Sequence, residues 1–298
     1  MTVFSPINAR SYYDYLPSSQ HQCGDIWVNL PSIGLLSAHP RITGIMITPA
    51  CDVSNFKTET LTYLPVVPVS AYLGTVAFLP IVRREVLERY KSAKLEMVID
   101  WPEKGYEPPT EDSLQSELTR LQSIVSKTKL TDADKVHIER AAAGLRIVSI
   151  CRSASKRTAT VADYALLFGK NWEGIKRDIV RNSYRPDIHF LPADEQNSDE
   201  LGLREHSAVL FRYPISVPSE ILTAAQTVAD SAWQRYMTSC AEVYSASTHF
   251  RDAMPIKILS LKASFLSDLL TRFTALYGRI GSPDFSSVTV DRYAGEIA

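Results

Sequence analysis

The chain has 298 residues, of which 45% are hydrophobic and 22% charged, and its formal net charge at pH 7 is −1. This composition is typical of a globular protein with one large domain or two small ones. The balanced charge excludes a whole-molecule attraction to nucleic acid or to a membrane surface.

No metal, cofactor or membrane signal is evident in the sequence. The four cysteines are scattered without a CxxC pair, which argues against a disulfide framework and a structural zinc site. Met1 to Leu16 lacks a basic segment followed by an apolar core, and no run of about 18 apolar residues occurs. We therefore expect a cytoplasmic protein that needs no cofactor and does not bind membranes.

The first third of the chain predicts a set of strands followed by a helix. Three runs rich in β-branched and aromatic residues, each bounded by Gly, Pro, Asn or Ser, are typical of short strands. These runs are 24–31, 44–52 and 61–70. Val86, Leu87 and Tyr90 recur at helical spacing, which predicts a helix over 83–95.

The middle of the chain predicts a basic block of helices. Helices are expected from residue 113, over 131–152, over 161–168 and over 171–181, and Thr131 with Asp134 has the spacing of a helix-capping pair. Residues 135–185 carry eleven Lys and Arg against four Asp and Glu, so this block has a local charge of +7. A nucleic-acid surface, a solvated helix face and an acidic partner all remain open explanations. The candidate nucleic-acid-binding residues are Lys156, Arg157, Lys170, Lys176, Arg177 and Arg181.

The last third predicts two more strands and two long helices. The strands are expected over 187–192 and 207–217, and the helices over 221–244 and from Pro255 to Ile280, with Ile258 and Leu261 on the second helix. These helices either close over the sheet or form the seam of a homodimer. The fold class is therefore α+β: a β-rich core in 1–110 and 186–298, interrupted by the helical insertion 111–185 and followed by two long C-terminal helices.

The opening strands resemble a known family. The matching pieces are Gly24-Asp25-Ile26-Trp27, Arg41 after a loop, a strand ending at Thr48-Pro49, and a strand ending Val67-Pro68-Val69-Ser70. In this order they resemble the MazF/PemK family, which are small barrels of bacterial toxin–antitoxin modules and in many cases endoribonucleases. The resemblance covers about a third of the chain and implies a small PemK/SH3-like β-barrel, completed by the strands near 188–192 and 208–217.

The chain is also similar to a larger group of bacterial proteins of unassigned activity. The shared features are the Gly24-Asp25-Ile26 opening, the Cys51-Asp52 pair, and an end that runs from Arg272-Phe273 to Arg279-Ile280-Gly281. Many members of this group are encoded beside bacterial defence components. The similarity implies a partner protein from the same operon.

The MazF/PemK resemblance assigns candidate catalytic residues. It implies that Arg41 and Ser70 bind and polarise a phosphate, but its late acidic position falls near Phe211 and Arg212, where no carboxylate stands. Asp52 or His39 would have to replace that acid, because cleavage needs a proton acceptor and donor. Asp52 has a second interpretation, as the cap of the turn before Asn55, with Cys51 as an ordinary thiol.

We therefore expect a non-catalytic interaction module of a bacterial defence or toxin–antitoxin-like complex, which binds a partner protein or nucleic acid. One alternative is a MazF-like endoribonuclease that uses Arg41 and Ser70. The other is a nucleic-acid-binding regulator, with RNA as the ligand of the basic insertion.

Overall fold

The computed structural model describes residues 9–16, 18–33, 40–55, 57–75, 77–101, 107–127, 129–152, 161–194 and 203–278. Within these ranges the protein has mixed α and β structure. The strands are β1 (Tyr13–Asp14), β2 (Asp25–Pro31), β3 (Arg41–Met46), β4 (Thr60–Pro68), β5 (Ile188–Leu191), β6 (Ser207–Leu210), β7 (Ile215–Pro218) and β8 (Ile256–Leu261).

The described helices follow the same chain order. They are α1 (Ala9–Tyr12), α2 (Ala50–Ser54), α3 (Val69–Leu73), α4 (Leu79–Ser92), α5 (Glu111–Lys127), α6 (Asp132–Arg152), α7 (Val161–Phe168), α8 (Trp172–Val180), α9 (Ser219–Ala224), α10 (Asp230–Cys240) and α11 (Ala263–Tyr277). Short 3-10 helices cover Gly169–Asn171 and Ser245–Phe250.

All eight strands belong to one antiparallel sheet, in the order β1-β8-β2-β3-β4-β6-β5, with β7 also paired to β4. Strands from both ends of the chain therefore share a sheet, as expected. The expected closed barrel is wrong, because the sheet is open and β1 and β5 remain its edges. These edge strands have only two and four residues, and a single side-chain bond links their ends, from the Tyr13 hydroxyl to the Pro192 carbonyl at 2.8 Å.

The expected pair of long C-terminal helices is also wrong. The first is interrupted between α9 and α10, and Ile258 and Leu261 lie in β8, between β1 and β2 in the sheet. Over a run as short as 256–261, the spacing of the apolar residues is compatible with the period of a helix and with that of a strand. Burial on the sheet, together with the polar contacts of Lys257 and Ser260, selects the strand.

The expected strand over 207–217 forms as two collinear segments that flank a bulge. The pairs Val66–Val209 and Tyr63–Ile215 leave two residues of β4 facing five residues of the other strand. One of the two is Pro65, which has no N–H to donate to a ladder. Proline inside a sheet is usually found beside a bulge, and here the bulge carries Arg212 outward.

Two helical layers cover the two faces of the sheet. Ile45, Leu64 and Val66 point to the face on which α11 packs with Leu269, Phe265 and Phe273, and this is called the α11 face. Met46, Tyr63 and Val67 point to the opposite face, which packs against helices of the insertion and is called the bundle face. Side chains alternate between the faces because the strand period is two residues.

The helical insertion forms as expected, with α5 to α8 between the two groups of strands. The predicted capping pair is present, since the Thr131 hydroxyl accepts the Asp134 N–H at 3.1 Å and the Asp134 carboxylate accepts the Thr131 N–H at 3.3 Å. Glu117 fastens α5 to α4, because its buried carboxylate accepts bonds from Tyr90 at 2.6 Å and from the fork of Arg120.

Gly24 and Asp25 join the N-terminal strands to the C-terminal strand β8. The Gly24 N–H donates to Met46 of β3 and its carbonyl accepts from Leu261 of β8, and its φ of +92° is one that glycine adopts freely. Asp25 is fully buried. Its carboxylate accepts from Lys257 Nζ at 2.8 Å and from the Ser260 hydroxyl at 2.6 Å.

Lys257 has no spare donor in this arrangement. Besides the bond to Asp25, its ammonium donates to the carbonyls of Ser18 at 2.8 Å and Gln20 at 2.7 Å. The side chain is only 6% exposed and lies over the Trp27 ring. The buried charge pair is therefore fully hydrogen-bonded, which is the condition under which such a pair is tolerated.

Lys257→Met should lower the free energy of unfolding by about 3–5 kcal/mol, because it leaves the buried Asp25 carboxylate without its cation. Urea denaturation followed by circular dichroism measures the change. The double variant Asp25→Asn with Lys257→Met should lose less than the sum of the single variants.

Lys262→Met is the matched control for this prediction. Its ammonium donates to one carbonyl, that of Arg10 at 2.9 Å, so the loss should stay below about 1 kcal/mol. If both variants lowered the free energy of unfolding equally, the buried pair would contribute no more to stability than a surface hydrogen bond.

Candidate binding cleft

The structure brings two of the three predicted catalytic residues to the same end of the sheet. Thr43 of β3 pairs with Val66 of β4, and this register places Arg41 opposite Pro68. Ser70 follows two residues later in α3, where it is exposed. Asp52 lies in α2, which follows the other end of β3, so Asp52 is not part of this group.

Arg41 is held by backbone carbonyls. Its Nη1 donates to His249 at 2.6 Å and, more weakly, to Asn29 at 3.5 Å. Burial lowers the pKa of Arg41, and Asp252 and Tyr63 oppose that shift. Arginine nevertheless stays protonated at neutral pH. The residue therefore presents a fixed positive charge at the sheet end.

A cleft of about 260 Å³ opens beside Arg41. Arg41 and Thr43 share a face with Ile45, so the cleft continues the α11 face beyond the part that α11 covers. α11 begins after β8 at the opposite end of the sheet, next to Gly24, so α11 does not cover this end. The lining residues are Val28, Asn29, Arg41, Ile42, Thr43, Val66, Val67 and Pro68.

The chemical content of the cleft favours binding over proton transfer. Its described lining offers one guanidinium, one threonine hydroxyl and one amide, and the remaining side chains are apolar. None of these groups accepts or donates a proton near pH 7, which general acid–base cleavage requires. The arrangement suits a ligand with one acidic group and small apolar neighbours.

Asn29 is a site residue that sequence reasoning missed. It has a φ of +62° at a bulge of β2, where the register with β3 shifts between Trp27 and Leu30. Its side-chain amide donates to the Met254 carbonyl at 3.0 Å, while its own carbonyl faces Arg41. An asparagine within a strand pattern just before Pro31 was the available signal, since asparagine tolerates positive φ.

Cys51 and Asp52 form no site with other described residues. The Asn55 side chain donates to the Cys51 carbonyl at 2.6 Å and the Lys57 N–H donates to the Asp52 carbonyl at 2.8 Å, so these bonds close the C-terminal end of the short helix α2. Cys51 is exposed. In the described part of the chain no group of three or more His, Cys, Asp or Glu is placed to hold a metal ion.

The predicted basic face is partly visible on α8 and the turn before it. Lys170, Lys176, Arg177 and Arg181 are all exposed. The Lys176 ammonium pairs with Glu173 at 2.6 Å and lies 5.9 Å from the Trp172 ring centre. Lys156 and Arg157 lie outside the described residues, as does His39.

The predicted homodimer seam is used inside the fold. The apolar stripe of α11 packs against the sheet through Phe265, Leu269 and Phe273, and the ring of Phe265 stacks on Tyr12 at 3.9 Å. Leu269 is buried in this packing, whereas Phe265 and Phe273 remain partly exposed. Homodimerisation through the C-terminal helices stays a prediction. None of the described helices is long and apolar enough to cross a membrane.

His189 is the buried histidine on the α11 face. It is 2% exposed, and its Nδ1 lies 3.9 Å from the Asp268 carboxylate of α11 without a hydrogen bond. Arg272 holds that carboxylate and also donates to the Asn182 carbonyl. Burial lowers the pKa of His189 to about 4, with Asp268 opposing and Arg272 reinforcing the shift, so the ring is neutral at pH 7. Its surroundings are those of a packing residue.

Comparison with protein-family models, with curated proteins and with solved structures gives no match. The MazF/PemK resemblance therefore stays a prediction from short motifs.

The free energy of unfolding should fall as the pH is lowered from 7 toward 4.5. The unfolded chain binds a proton on His189 near pH 6.5, whereas the folded chain binds it only near pH 4. His189 therefore adds its full contribution to the free energy of unfolding above pH 6.5. This contribution, about 3 kcal/mol, is lost as the pH falls from 6.5 to 4. Urea denaturation at several pH values measures the slope.

His189→Leu should flatten this slope, because it removes the titrating ring. His249→Gln, at an exposed position, should leave the slope unchanged. An unaltered slope in His189→Leu would mean that other groups govern the acid sensitivity.

Proposed function

We propose that this protein is a non-catalytic interaction module whose Arg41 cleft binds an extended segment of a partner protein. The observation that carries the proposal is the described lining of the cleft, which combines one fixed cation with small apolar surfaces and includes no proton-transferring side chain. A partner segment with a carboxylate between small apolar side chains would complement it. Desolvated arginines of this kind are frequent energetic centres of protein interfaces.

The biological setting of the proposal comes from the sequence. The Gly24-Asp25 opening and the Cys51-Asp52 pair are similar to bacterial proteins encoded beside defence components, so the proposed partner is encoded in the same operon. The two motifs have structural roles here, since Asp25 holds β8 and Cys51-Asp52 forms part of the short helix α2. The motifs thus support a shared fold, and the cleft supports the binding role.

An endoribonuclease is the alternative, and the shared position of Arg41 and Ser70 favours it. A ribonuclease of the MazF type would also need an acid and a base near the phosphate. Of the two candidates for that role, Asp52 lies beyond the other end of β3, and His39 lies outside the described residues.

Arg41→Glu should weaken binding of the same-operon partner at least about tenfold, because it places a like charge against the partner's carboxylate. The dissociation constant is measured by calorimetric titration of the purified partner into the purified protein. Arg84→Glu is the matched control, since Arg84 is an exposed arginine on α4, on the bundle side of the sheet. Equal affinity of the two variants would reject the cleft as the binding surface.

Incubation of the purified protein with total RNA separates the two functions. The interaction module should leave the RNA intact at all times. Cleavage that disappears in Arg41→Ala and in Ser70→Ala, but not in Arg84→Ala, would establish the endoribonuclease instead.

A nucleic-acid-binding regulator is a second candidate, favoured by the exposed cations around α8. Replacing Lys170, Lys176, Arg177 and Arg181 with Gln should weaken a mobility shift of single-stranded RNA. It should also reduce the slope of log K against log salt by about 0.7 for each lost phosphate contact.

Lys91→Gln with Arg235→Gln is the control for the regulator, because both residues are exposed and lie away from α8. A complete absence of a shift at low salt, or an unchanged slope in the α8 variant, would rule out this surface as an RNA site.

A further inference from the structure

The bulge between β6 and β7 builds a second polar cluster, on residues that the proposed function does not use. Asp187 is 5% exposed. Arg185 donates hydrogen bonds to its two carboxylate oxygens, from Nε at 2.8 Å and from Nη2 at 2.6 Å. Arg212, carried by the bulge, adds a bond from Nε at 3.0 Å. Burial opposes ionisation of Asp187, but these bonds outweigh it and lower its pKa.

The cluster has an excess of one positive charge, and that excess lies on Arg212. Asp187 is already neutralised by the two parallel bonds of Arg185, the strongest form of this pairing. Arg185 is mostly enclosed, and its Nη1 also faces the Ala77 carbonyl. Arg212 is 57% exposed, and among the described residues its two Nη groups have no hydrogen-bond partner.

A cavity of about 550 Å³ opens beside Arg212. Its volume is that of a small-molecule site. Ser32 and Ser216 are among the lining residues; Ser32 is 2% exposed, whereas Ser216 is exposed and its hydroxyl lies 2.8 Å from that of Thr62. The remaining wall is apolar or aromatic. The full lining is Ser32, Ile33, Arg212, Tyr213, Pro214, Ile215 and Ser216.

Ile33, which lines this cavity, has a strained backbone conformation. Its φ of +47° is rare for a β-branched residue, and its side chain is 49% exposed rather than packed. Such a conformation costs about 1–3 kcal/mol and persists where the surroundings require it. Ile33 therefore contributes an exposed apolar side chain to the same cavity as the Arg212 guanidinium.

We propose that this cavity binds a small phosphate monoester on a planar carrier, of the size of a nucleoside monophosphate. The two Nη groups of Arg212 donate to two phosphate oxygens, and the hydroxyl of the exposed Ser216 donates to a third. A phosphate uses this donor set more fully than a carboxylate, which has only two oxygens. The planar carrier lies against Tyr213 and Ile33, since stacking on an aromatic ring suits a base.

Calorimetric titration of the full chain with AMP, adenosine and inorganic phosphate tests the proposal. AMP should bind at least about tenfold more tightly than adenosine or phosphate alone, because AMP contacts both Arg212 and the apolar residues Tyr213 and Ile33. Arg212→Gln should weaken AMP at least about tenfold. It should leave the melting temperature nearly unchanged, since Arg185 still neutralises Asp187. Arg235→Gln, at an exposed position on α10, should bind AMP as the wild type does.

Ile33→Gly provides an independent arm. It relieves the positive φ, so the fold should gain stability, while AMP binding weakens and phosphate binding is retained. Equal affinities for AMP and adenosine, wild-type affinity in Arg212→Gln, or no AMP binding up to about 10 mM would each overturn the proposal.

Discussion

The buried pair of Asp25 and Lys257 connects parts of the chain that are far apart in sequence, and the layout of the sheet depends on it. It holds β8 beside β2, while Gly24 at the same corner bonds to both β3 and β8. Because β8 lies there, α11 begins at this corner and crosses one face of the sheet toward Phe211 and Asn182. The location of the hydrophobic cover on that face therefore follows from one hydrogen-bonded charge pair.

The position of α11 explains why the two ends of the sheet differ. The end near Gly24 is covered by α11, whereas α11 does not reach the end near Arg41, where the cleft lies. Arg41 is anchored by carbonyls of Asn29 and His249, so its charge is fixed before any ligand arrives. Pre-positioned charge reduces the entropy that binding must overcome.

Each cavity is bordered by a residue that departs from regular backbone geometry. Asn29 has positive φ beside the Arg41 cleft, and Ile33 has positive φ beside the Arg212 cavity. Both cavities also lie next to a break in strand register, one in β2 and one between β6 and β7. Local departures of this kind interrupt close packing and redirect side chains, which is why binding sites are often found at them.

The sequence by itself determined the helical insertion, the strands within 24–70 and near 188–191, and the capping pair Thr131 and Asp134, because these depend on local periodicity and capping. Only the tertiary structure decided that 256–261 is a strand, that the sheet is open, and that Asp52 lies far from Arg41. It also decided the cluster of Arg185, Asp187 and Arg212. A six-residue apolar run has no intrinsic preference strong enough to outweigh burial and a charge partner 232 residues away, such as Asp25 is for Lys257.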